Sequence, residues 1–97
     1  LVALGCEVNG TVKNSILSSN VTVEEGAVVD GSVVFSGCVI KSGARVVNSI
    51  IDENAVVGND SSVGSRTVPR LITVLGHGVE VKAGEKIEAG KIVEGDK

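Results

Sequence analysis

A 17-residue repeat in the first two thirds of the chain constrains the fold more than any other feature of this sequence. Residues of one kind recur at this interval in columns, of which the clearest are Val12, Val29, Val46 and Val63; Ser15, Ser32 and Ser49; and Leu17, Val34 and Ile51. Each repeat divides into steps of six, five and six residues, so that an apolar anchor recurs from Cys6 to Val63 without a gap. Eleven such matches in a chain that is 42% apolar would occur by chance about once in ten thousand trials.

The residue two places before each anchor is usually small. It lies on the same face of an extended strand as the anchor, and only Leu4 and Val21 are large at this position. A large branched side chain that alternates with a small one predicts short strands that line a narrow prism. Three strands per turn, with turns about 4.8 Å apart, form a parallel β-helix in which each strand pairs with the coils above and below.

The composition supports this all-β prediction. The chain has 20 Val, 7 Ile and 13 Gly, whereas Phe35 is its one aromatic residue. Val and Ile lose rotamer freedom in helices and each Gly costs about 1 kcal/mol there, which disfavours a helical bundle. Residues that readily adopt positive φ values recur near the predicted corners; they are Asn14, Gly26, Gly31, Gly43 and Asn48.

The pattern predicts a single domain in three segments. Residues 1–64 carry the β-helix coils, and residues 65–71, which include the one proline of the chain, form a loop. A six-residue step returns from Leu75 to Val93, so we interpret residues 72–97 as a closing coil and tail. Since the chain contains no Met, we expect it to be part of a longer protein.

Charge and hydropathy exclude several classes of function. A net charge of −3 and the lack of stacking aromatic residues argue against a nucleic-acid partner. No apolar run approaches the roughly 18 residues of a membrane span, and the N-terminus lacks the residue order of a signal peptide. We therefore expect a cytoplasmic protein with neither a nucleic-acid nor a membrane partner.

Short segments of the repeat resemble a known family. The repeat as a whole resembles the hexapeptide repeat of left-handed β-helices, which occurs in acyltransferases and in sugar-phosphate nucleotidyltransferases. Three segments are similar to the shortened side of the C-terminal domain of bacterial glucose-1-phosphate adenylyltransferase (ADP-glucose pyrophosphorylase) and its regulatory paralogue; they are Val12-Lys-Asn-Ser-Ile-Leu17, Val29-Asp-Gly-Ser-Val-Val34 and Val46-Val-Asn-Ser-Ile-Ile51. The segment Ile72-Thr-Val-Leu-Gly-His-Gly78, followed by Val81-Lys-Ala-Gly84, is similar to the end of the same proteins.

The resemblance implies a single-stranded left-handed parallel β-helix that serves assembly and allosteric regulation in glycogen biosynthesis. The parent enzyme would convert ATP and glucose 1-phosphate, with Mg²⁺, to ADP-glucose and pyrophosphate. Its N-terminal catalytic domain carries a Gly-rich nucleotide-binding segment that has no match in this sequence, so we assign no residue here to catalysis or to a metal. The implied partners are that missing domain, other subunits of a homo- or hetero-oligomer, and a sugar-phosphate or phosphate effector.

Four basic residues are candidates for binding such an effector. They are Arg66, Arg70, His77 and Lys82. Guanidinium and ammonium groups suit phosphate, and His77, the sole histidine, lies between two glycines. The competing interpretation is a solvated loop with an exposed turn histidine.

The outward side of the predicted coils is unusually apolar. Ile16, Val33 and Ile50 each directly precede an anchor and would point away from the core as a stacked aliphatic strip. Val39 and Val56 would form a second strip, and Phe35 is a third exposed apolar element. Contiguous apolar strips usually meet a partner, so we predict that these residues contact the missing catalytic domain or a neighbouring subunit.

The two cysteines, Cys6 and Cys38, occupy inward slots in the first and third coils and are predicted to be buried thiols. Two coil spacings of about 4.8 Å exceed the Cα reach of a disulfide, which is roughly 7 Å. We therefore predict neither a disulfide nor a metal site.

Two further functions are compatible with the repeat. One is a hexapeptide acyltransferase, a trimer that would use coenzyme A and His77 as a general base. The other is a purely structural β-helix that mediates protein contacts. Binding of an acyl donor would favour the acyltransferase, and a lack of any phosphate or nucleotide binding would favour the structural module.

Overall fold

The repeat folds as a left-handed parallel β-helix of five coils. The computed structural model describes residues 1–65 and 71–95 of the chain. Fifteen short strands lie on three faces, with one strand per face in each coil, and the described residues contain no helix. The predicted all-β class, a parallel β-helix of hexapeptide repeats, is confirmed. Within the described residues no helix is long and apolar enough to cross a membrane.

The strands of each face form one five-stranded sheet. Sheet 1 contains β1 (Glu7–Val8), β4 (Thr22–Val23), β7 (Val39–Ile40), β10 (Val56–Val57) and β13 (Glu80–Val81). Sheet 2 contains β2 (Thr11–Lys13), β5 (Val28–Asp30), β8 (Arg45–Val47), β11 (Ser62–Val63) and β14 (Lys86–Ile87). Sheet 3 contains β3 (Ile16–Leu17), β6 (Val33–Val34), β9 (Ser49–Ile51), β12 (Thr73–Leu75) and β15 (Ile92–Val93). Coil 1 is β1–β3, coil 2 is β4–β6, coil 3 is β7–β9, coil 4 is β10–β12 and coil 5 is β13–β15.

The core is the stack of side chains inside the prism. The predicted anchors of coils 2 and 3 are all at most 1% exposed; they are Val23, Val29, Val34, Ile40, Val46 and Ile51. Small residues two places earlier, such as Ala27, Cys38 and Ala44, are buried beside them. Each strand pairs in parallel with the same side of the next coil, so identical positions stack directly. A prism filled in this way has no space for aromatic rings, which accounts for their near absence.

A ladder of serine hydroxyls fixes the five-residue side of the coils. The Ser32 hydroxyl accepts a hydrogen bond of 3.1 Å from the Ser49 N–H of the next coil. It also donates to the carbonyl of Asp30 at 3.0 Å. Ser15 repeats both bonds, with the Ser32 N–H and the Lys13 carbonyl. Each hydroxyl thus closes its own corner and joins it to the next coil, which explains the recurrence of serine in this column.

We expect Ser32→Ala to lower the free energy of unfolding by about 1–2 kcal/mol, because it leaves the buried Ser49 N–H without an acceptor. Urea denaturation monitored by circular dichroism measures the change. Ser19→Ala is the matched control, since Ser19 is exposed, and we expect it to change the stability by less than about 0.5 kcal/mol. Equal effects of the two substitutions would show that the serine ladder does not hold the coils together.

The corners have the backbone conformation that the sequence predicts. All five predicted corner residues adopt positive φ, from 48° at Asn14 and Asn48 to 82° at Gly26. At one corner Asn and Gly alternate between neighbouring coils, as Asn14, Gly31 and Asn48. A Cβ on Gly31 would lie 2.6 Å from the side-chain oxygen of Asn48. Gly at such a corner therefore makes room for the Asn stacked on it.

The first coil differs from the predicted register. Val8, rather than Cys6, pairs with Val23, and Cys6 lies in the slot of small residues two places earlier. The predicted inward position of Leu4 is wrong, because this side chain is 89% exposed.

The cause is a shortened corner between β1 and β2. Only Asn9 and Gly10 connect these strands, whereas residues 24–27 connect β4 and β5. Gly10 permits the short path, since a Cβ there would lie 2.5 Å from the carbonyl oxygen of Ala27. The six-residue step therefore does not apply at this corner.

The C-terminal segment contains more than one closing coil. β12 completes coil 4, and β13–β15 form a full coil 5. In coils 2 and 3 the step from the anchor on sheet 2 to the anchor on sheet 3 is five residues, as from Val46 to Ile51. In coil 4 the corresponding step, from Val63 to Leu75, is longer. Most of the predicted loop 65–71 lies outside the described residues, which end at 65 and resume at 71.

The charged residues of coil 5 are accommodated because this coil forms one end of each sheet. Glu85 and Lys91 stand at positions that are small in earlier coils, and both are exposed. The Glu85 carboxylate accepts a hydrogen bond from the Lys82 N–H at 3.0 Å. A charged side chain at an edge coil also opposes pairing with further strands.

Candidate functional site

The three faces of the prism differ in their outward side chains. On sheet 1 the outward column is Glu7, Thr22, Val39, Val56 and Glu80. On sheet 2 it is Thr11, Val28, Arg45, Ser62 and Lys86. On sheet 3 it is Ile16, Val33, Ile50, Val74 and Ile92, which we call the aliphatic ladder. Among the strands described, only sheet 3 is aliphatic outside at every coil.

The aliphatic ladder is open to solvent. Ile16 is 47% exposed, Ile50 is 37% and Ile92 is 67%. Val33 and Val74 are half-buried between them. Burying such side chains contributes roughly 25 cal/mol for each Å² removed from water, so a continuous exposed column is a candidate contact surface.

Two members of the ladder, Val74 and Ile92, are absent from the sequence prediction. The extra residues before Leu75 break the 17-residue spacing, so these positions do not align with Ile50 by period. The rule that identifies Ile16 also finds them, because Val74 directly precedes Leu75 and Ile92 directly precedes Val93.

Of the other predicted contact residues, Val39 and Val56 lie on a different sheet from the ladder, and Phe35 lies beside it. Val39 and Val56 are adjacent on the outside of sheet 1 and both are half-buried. Phe35 directly follows β6 and is 39% exposed, so it adds apolar surface at one border of sheet 3. The structure therefore joins Phe35 to the ladder and leaves the two valines as a short separate strip.

The predicted effector residues do not form one cluster in the described structure. Arg66 and Arg70 lie outside the described residues. His77 is exposed at the corner between sheets 3 and 1, and Lys82 is exposed at the corner between sheets 1 and 2. The chain between them is extended through β13, so their Cα atoms lie at opposite ends of one side, up to about 16 Å apart.

Lys82 instead shares a surface recess with Lys41, two coils away. The recess has a volume of about 240 Å³, and Gly58 lies between the two lysines in the stack. A Cβ on Gly58 would lie 2.5 Å from the Val81 carbonyl oxygen. The lysine pair attracts anions, but Glu80 also lines the recess and reduces that attraction.

The buried cysteine, Cys38, does not have the environment of a reactive nucleophile. Both thiols are free, and Cys38 is buried whereas Cys6 is half-buried. Burial raises the pKa of the Cys38 thiol, and hydrogen bonds from the backbone of Ala55 and Asn54 oppose the rise only in part. Since the thiolate is the nucleophile, a raised pKa lowers the reactivity of Cys38.

The described residues contain no group of three or more His, Cys, Asp and Glu side chains placed to hold a metal ion. His77 is the one histidine of the chain, and no hydrogen bond from its ring is present in the described structure. The features that stand out are therefore a contact surface on sheet 3 and a lysine recess.

The comparisons with known proteins agree with this picture of a repeat domain. A family model described as "GlmU-like, C-terminal hexapeptide" matches residues 1–69, which is more than two thirds of the chain. The match spans the strands from β1 to β11. Neither the comparison with curated proteins nor the comparison with solved structures gives a match.

Proposed function

Because the chain belongs to the GlmU-like C-terminal hexapeptide family, we propose that it is the C-terminal assembly and regulatory domain of a sugar-phosphate nucleotidyltransferase. The parent enzyme is of the glucose-1-phosphate adenylyltransferase type and acts in the cytoplasm. It transfers the adenylyl group of ATP to glucose 1-phosphate, with Mg²⁺, and releases pyrophosphate. Nucleotidyl transfer takes place in the rest of the parent protein, and this chain supplies contacts with the catalytic domain or with other subunits.

The aliphatic ladder is the single observation that carries the assembly role. An enzyme domain would present polar groups that converge on a substrate, whereas sheet 3 presents five aliphatic side chains in a row. Burial of this row against the catalytic domain or another subunit removes it from water. The family match adds the class of parent enzyme, and the sequence segments that resemble glucose-1-phosphate adenylyltransferase add its substrate.

The regulatory role rests on the basic residues. A phosphate effector would contact Lys82 together with Lys41, since these two residues line one recess. Glu80 in the same recess favours a ligand that also carries hydroxyl groups, as a sugar phosphate does, because a carboxylate accepts hydrogen bonds from hydroxyls.

The experiment uses the full-length product of the gene that contains this chain. We expect it to form ADP-glucose from ATP and glucose 1-phosphate. We expect a variant with Ile16→Thr, Val33→Thr and Ile50→Thr to lose its native assembly, because each substitution exchanges aliphatic contact area for a hydroxyl. Light scattering after size-exclusion chromatography measures the assembly, and pyrophosphate release measures the activity.

The control is Val28→Thr, which changes an outward, half-buried valine on sheet 2. Loss of assembly in the control as well would contradict a specific role of sheet 3. Circular dichroism verifies that each variant keeps its fold. Acyl transfer from acyl-coenzyme A, or nucleotidyl transfer to mannose 1-phosphate with GTP in place of the expected reaction, would overturn the assignment of the parent enzyme.

A further inference from the structure

The aliphatic ladder alternates in size along the helix. Its order from coil 1 to coil 5 is Ile16, Val33, Ile50, Val74 and Ile92. Isoleucine and valine thus alternate from one coil to the next, at a spacing of about 4.8 Å. The exposed fractions follow the same alternation, since the three isoleucines are exposed and the two valines are half-buried. The outer surface of sheet 3 is therefore a regular series of ridges and hollows.

We propose that sheet 3 packs face to face against sheet 3 of a second copy of this chain, with the two helices antiparallel. The inference rests on the assembly role proposed above and names the partner. A two-fold axis parallel to the strands, between coils 2 and 3, places coil 1 opposite coil 4 of the partner and coil 2 opposite coil 3. Ile16 and Ile50 then each face a valine of the second copy, so ridges enter hollows over coils 1 to 4.

The pairing of isoleucine with valine holds over coils 1 to 4. Ile16 faces the second copy's equivalent of Val74, and Val33 faces its equivalent of Ile50; the symmetry repeats both contacts in reverse. Ile92 of coil 5 then lies opposite the position that precedes coil 1. Leu1 occupies that position, because Val2 forms a parallel bridge with Leu17 and Leu1 therefore aligns with Ile16.

Parallel helices would fit less well. A two-fold axis along the helix would place Ile16 opposite Ile16 and Val33 opposite Val33. Ridges would then meet ridges, and voids would remain between the valines, which close-packed interfaces avoid. The antiparallel arrangement is the one that the alternation favours.

Of the three faces, sheet 3 is the one whose charge and area suit pairing with a second copy. Sheet 1 carries Glu7 and Glu80 outside, and sheet 2 carries Arg45 and Lys86, so self-pairing of either face would desolvate like charges. The ladder contains no charge.

The area of sheet 3 is also sufficient for a dimer. Five coils give a face about 24 Å long and up to about 20 Å wide. The pair therefore buries on the order of 1,000 Å² in total, which is in the lower range for a specific interface.

Cysteine pairs test the register of this dimer. The double variant Ile16→Cys/Val74→Cys places two thiols three coil spacings apart within one chain, about 14 Å, which no intrachain disulfide spans. We expect oxidation to give covalent dimers of this variant, seen by non-reducing electrophoresis. Ile16→Cys alone should form no covalent dimer under the same conditions, because the equivalent thiols of the two copies lie three coil spacings apart, about 14 Å. The unsubstituted chain controls for Cys6 and Cys38.

Matched charge variants test the surface independently of the disulfide. Val33→Glu introduces two carboxylates into the proposed interface, and we expect dimerisation to weaken by about 100-fold or more in sedimentation velocity. Val28→Glu is the control, since Val28 is also a half-buried outward valine of coil 2, on sheet 2. We expect it to change dimerisation by no more than about twofold.

Three outcomes would overturn the proposed dimer. They are a monomeric unsubstituted chain at its highest soluble concentration, covalent dimers of Ile16→Cys alone, and equal effects of the two glutamates. A monomeric chain whose ladder variants still disrupt the full-length enzyme would reject the self-pairing and retain the assembly role. Full-length enzyme that is unaffected by the ladder variants would reject both.

Discussion

Replacement of Ile40 by Ala is expected to lower the free energy of unfolding by about 3–4 kcal/mol. Ile40 is fully buried in the central coil, at 0% exposure, and its strand β7 pairs with β4 on one side and with β10 on the other. The coils cannot move inward to fill the space, because backbone hydrogen bonds such as Glu24 N–H to Ile40 O, at 2.9 Å, set their spacing. A cavity that does not collapse gives the upper part of the range for Ile→Ala substitutions.

Urea denaturation of the purified chain measures this change. Val39→Ala is the matched control, because Val39 directly precedes Ile40 on the same strand and points outward, half-buried. We expect the control to lower the free energy of unfolding by no more than about 1 kcal/mol. Similar losses for the two substitutions would contradict the assignment of Ile40 to the core side of β7.

Replacement of Gly58 by Ala is expected to destabilise the C-terminal end of the helix by about 2–3 kcal/mol. The added Cβ would lie 2.5 Å from the Val81 carbonyl oxygen and 2.7 Å from the Ala83 nitrogen. Both are backbone atoms of coil 5, so the contact is relieved only if coils 4 and 5 separate. Separation weakens the hydrogen bond from the Gly58 N–H to Val81 O, which is 2.8 Å long, and overpacking of this kind costs roughly 1–3 kcal/mol.

Hydrogen–deuterium exchange locates the effect of Gly58→Ala, and we expect lost protection in β13 and β14 but not in β4 or β5. Gly84→Ala is the control for backbone strain without a clash. Gly84 has a φ of +74° and nothing within 4 Å of an added Cβ, so we expect a loss of about 1 kcal/mol. A uniform loss of protection, or a larger effect at Gly84, would contradict steric contact as the cause.

The stacking of coils 2 to 4 could be predicted from the sequence because one residue type stands at each position. A column such as Val29 and Val46 has one physical cause, the constant width of the prism, and any other size would leave a void or a clash. Serine recurs in the Ser15 column for a second reason, because its hydroxyl forms a hydrogen bond with the backbone of the next coil. Local causes of this kind can be read from spacing alone.

Deviations from the repeat could not be predicted in the same way. The shortened corner before β2 depends on Gly10, whose missing side chain lets the chain pass close to the carbonyl of Ala27. That contact joins two coils, and the period does not express it. The register after Val63 has the same difficulty, because an insertion changes which residues stack, although the alternation within each strand persists.

The sequence predicts the aliphatic part of the candidate site better than its basic part, for a physical reason. Outward aliphatic residues such as Ile16 and Ile50 follow directly from the two-residue period of a strand. Basic residues at corners, such as His77 and Lys82, are close in sequence but are separated by a full side of the prism. Lys41 and Lys82 are distant in sequence and share a recess, which only the stacking of coils reveals.

Hydroxyl-radical footprinting of the full-length protein tests the central claim, that the outer face of sheet 3 is a contact surface. Labelling of the ladder residues is compared with labelling of Val28, which lies on the outside of sheet 2. We expect Ile16, Ile50 and Ile92 to be protected in the native assembly and to become labelled in the Val33→Glu variant, while Val28 is labelled equally in both. Equal labelling of the ladder residues in the native protein and in the Val33→Glu variant would contradict the claim that sheet 3 is a contact surface.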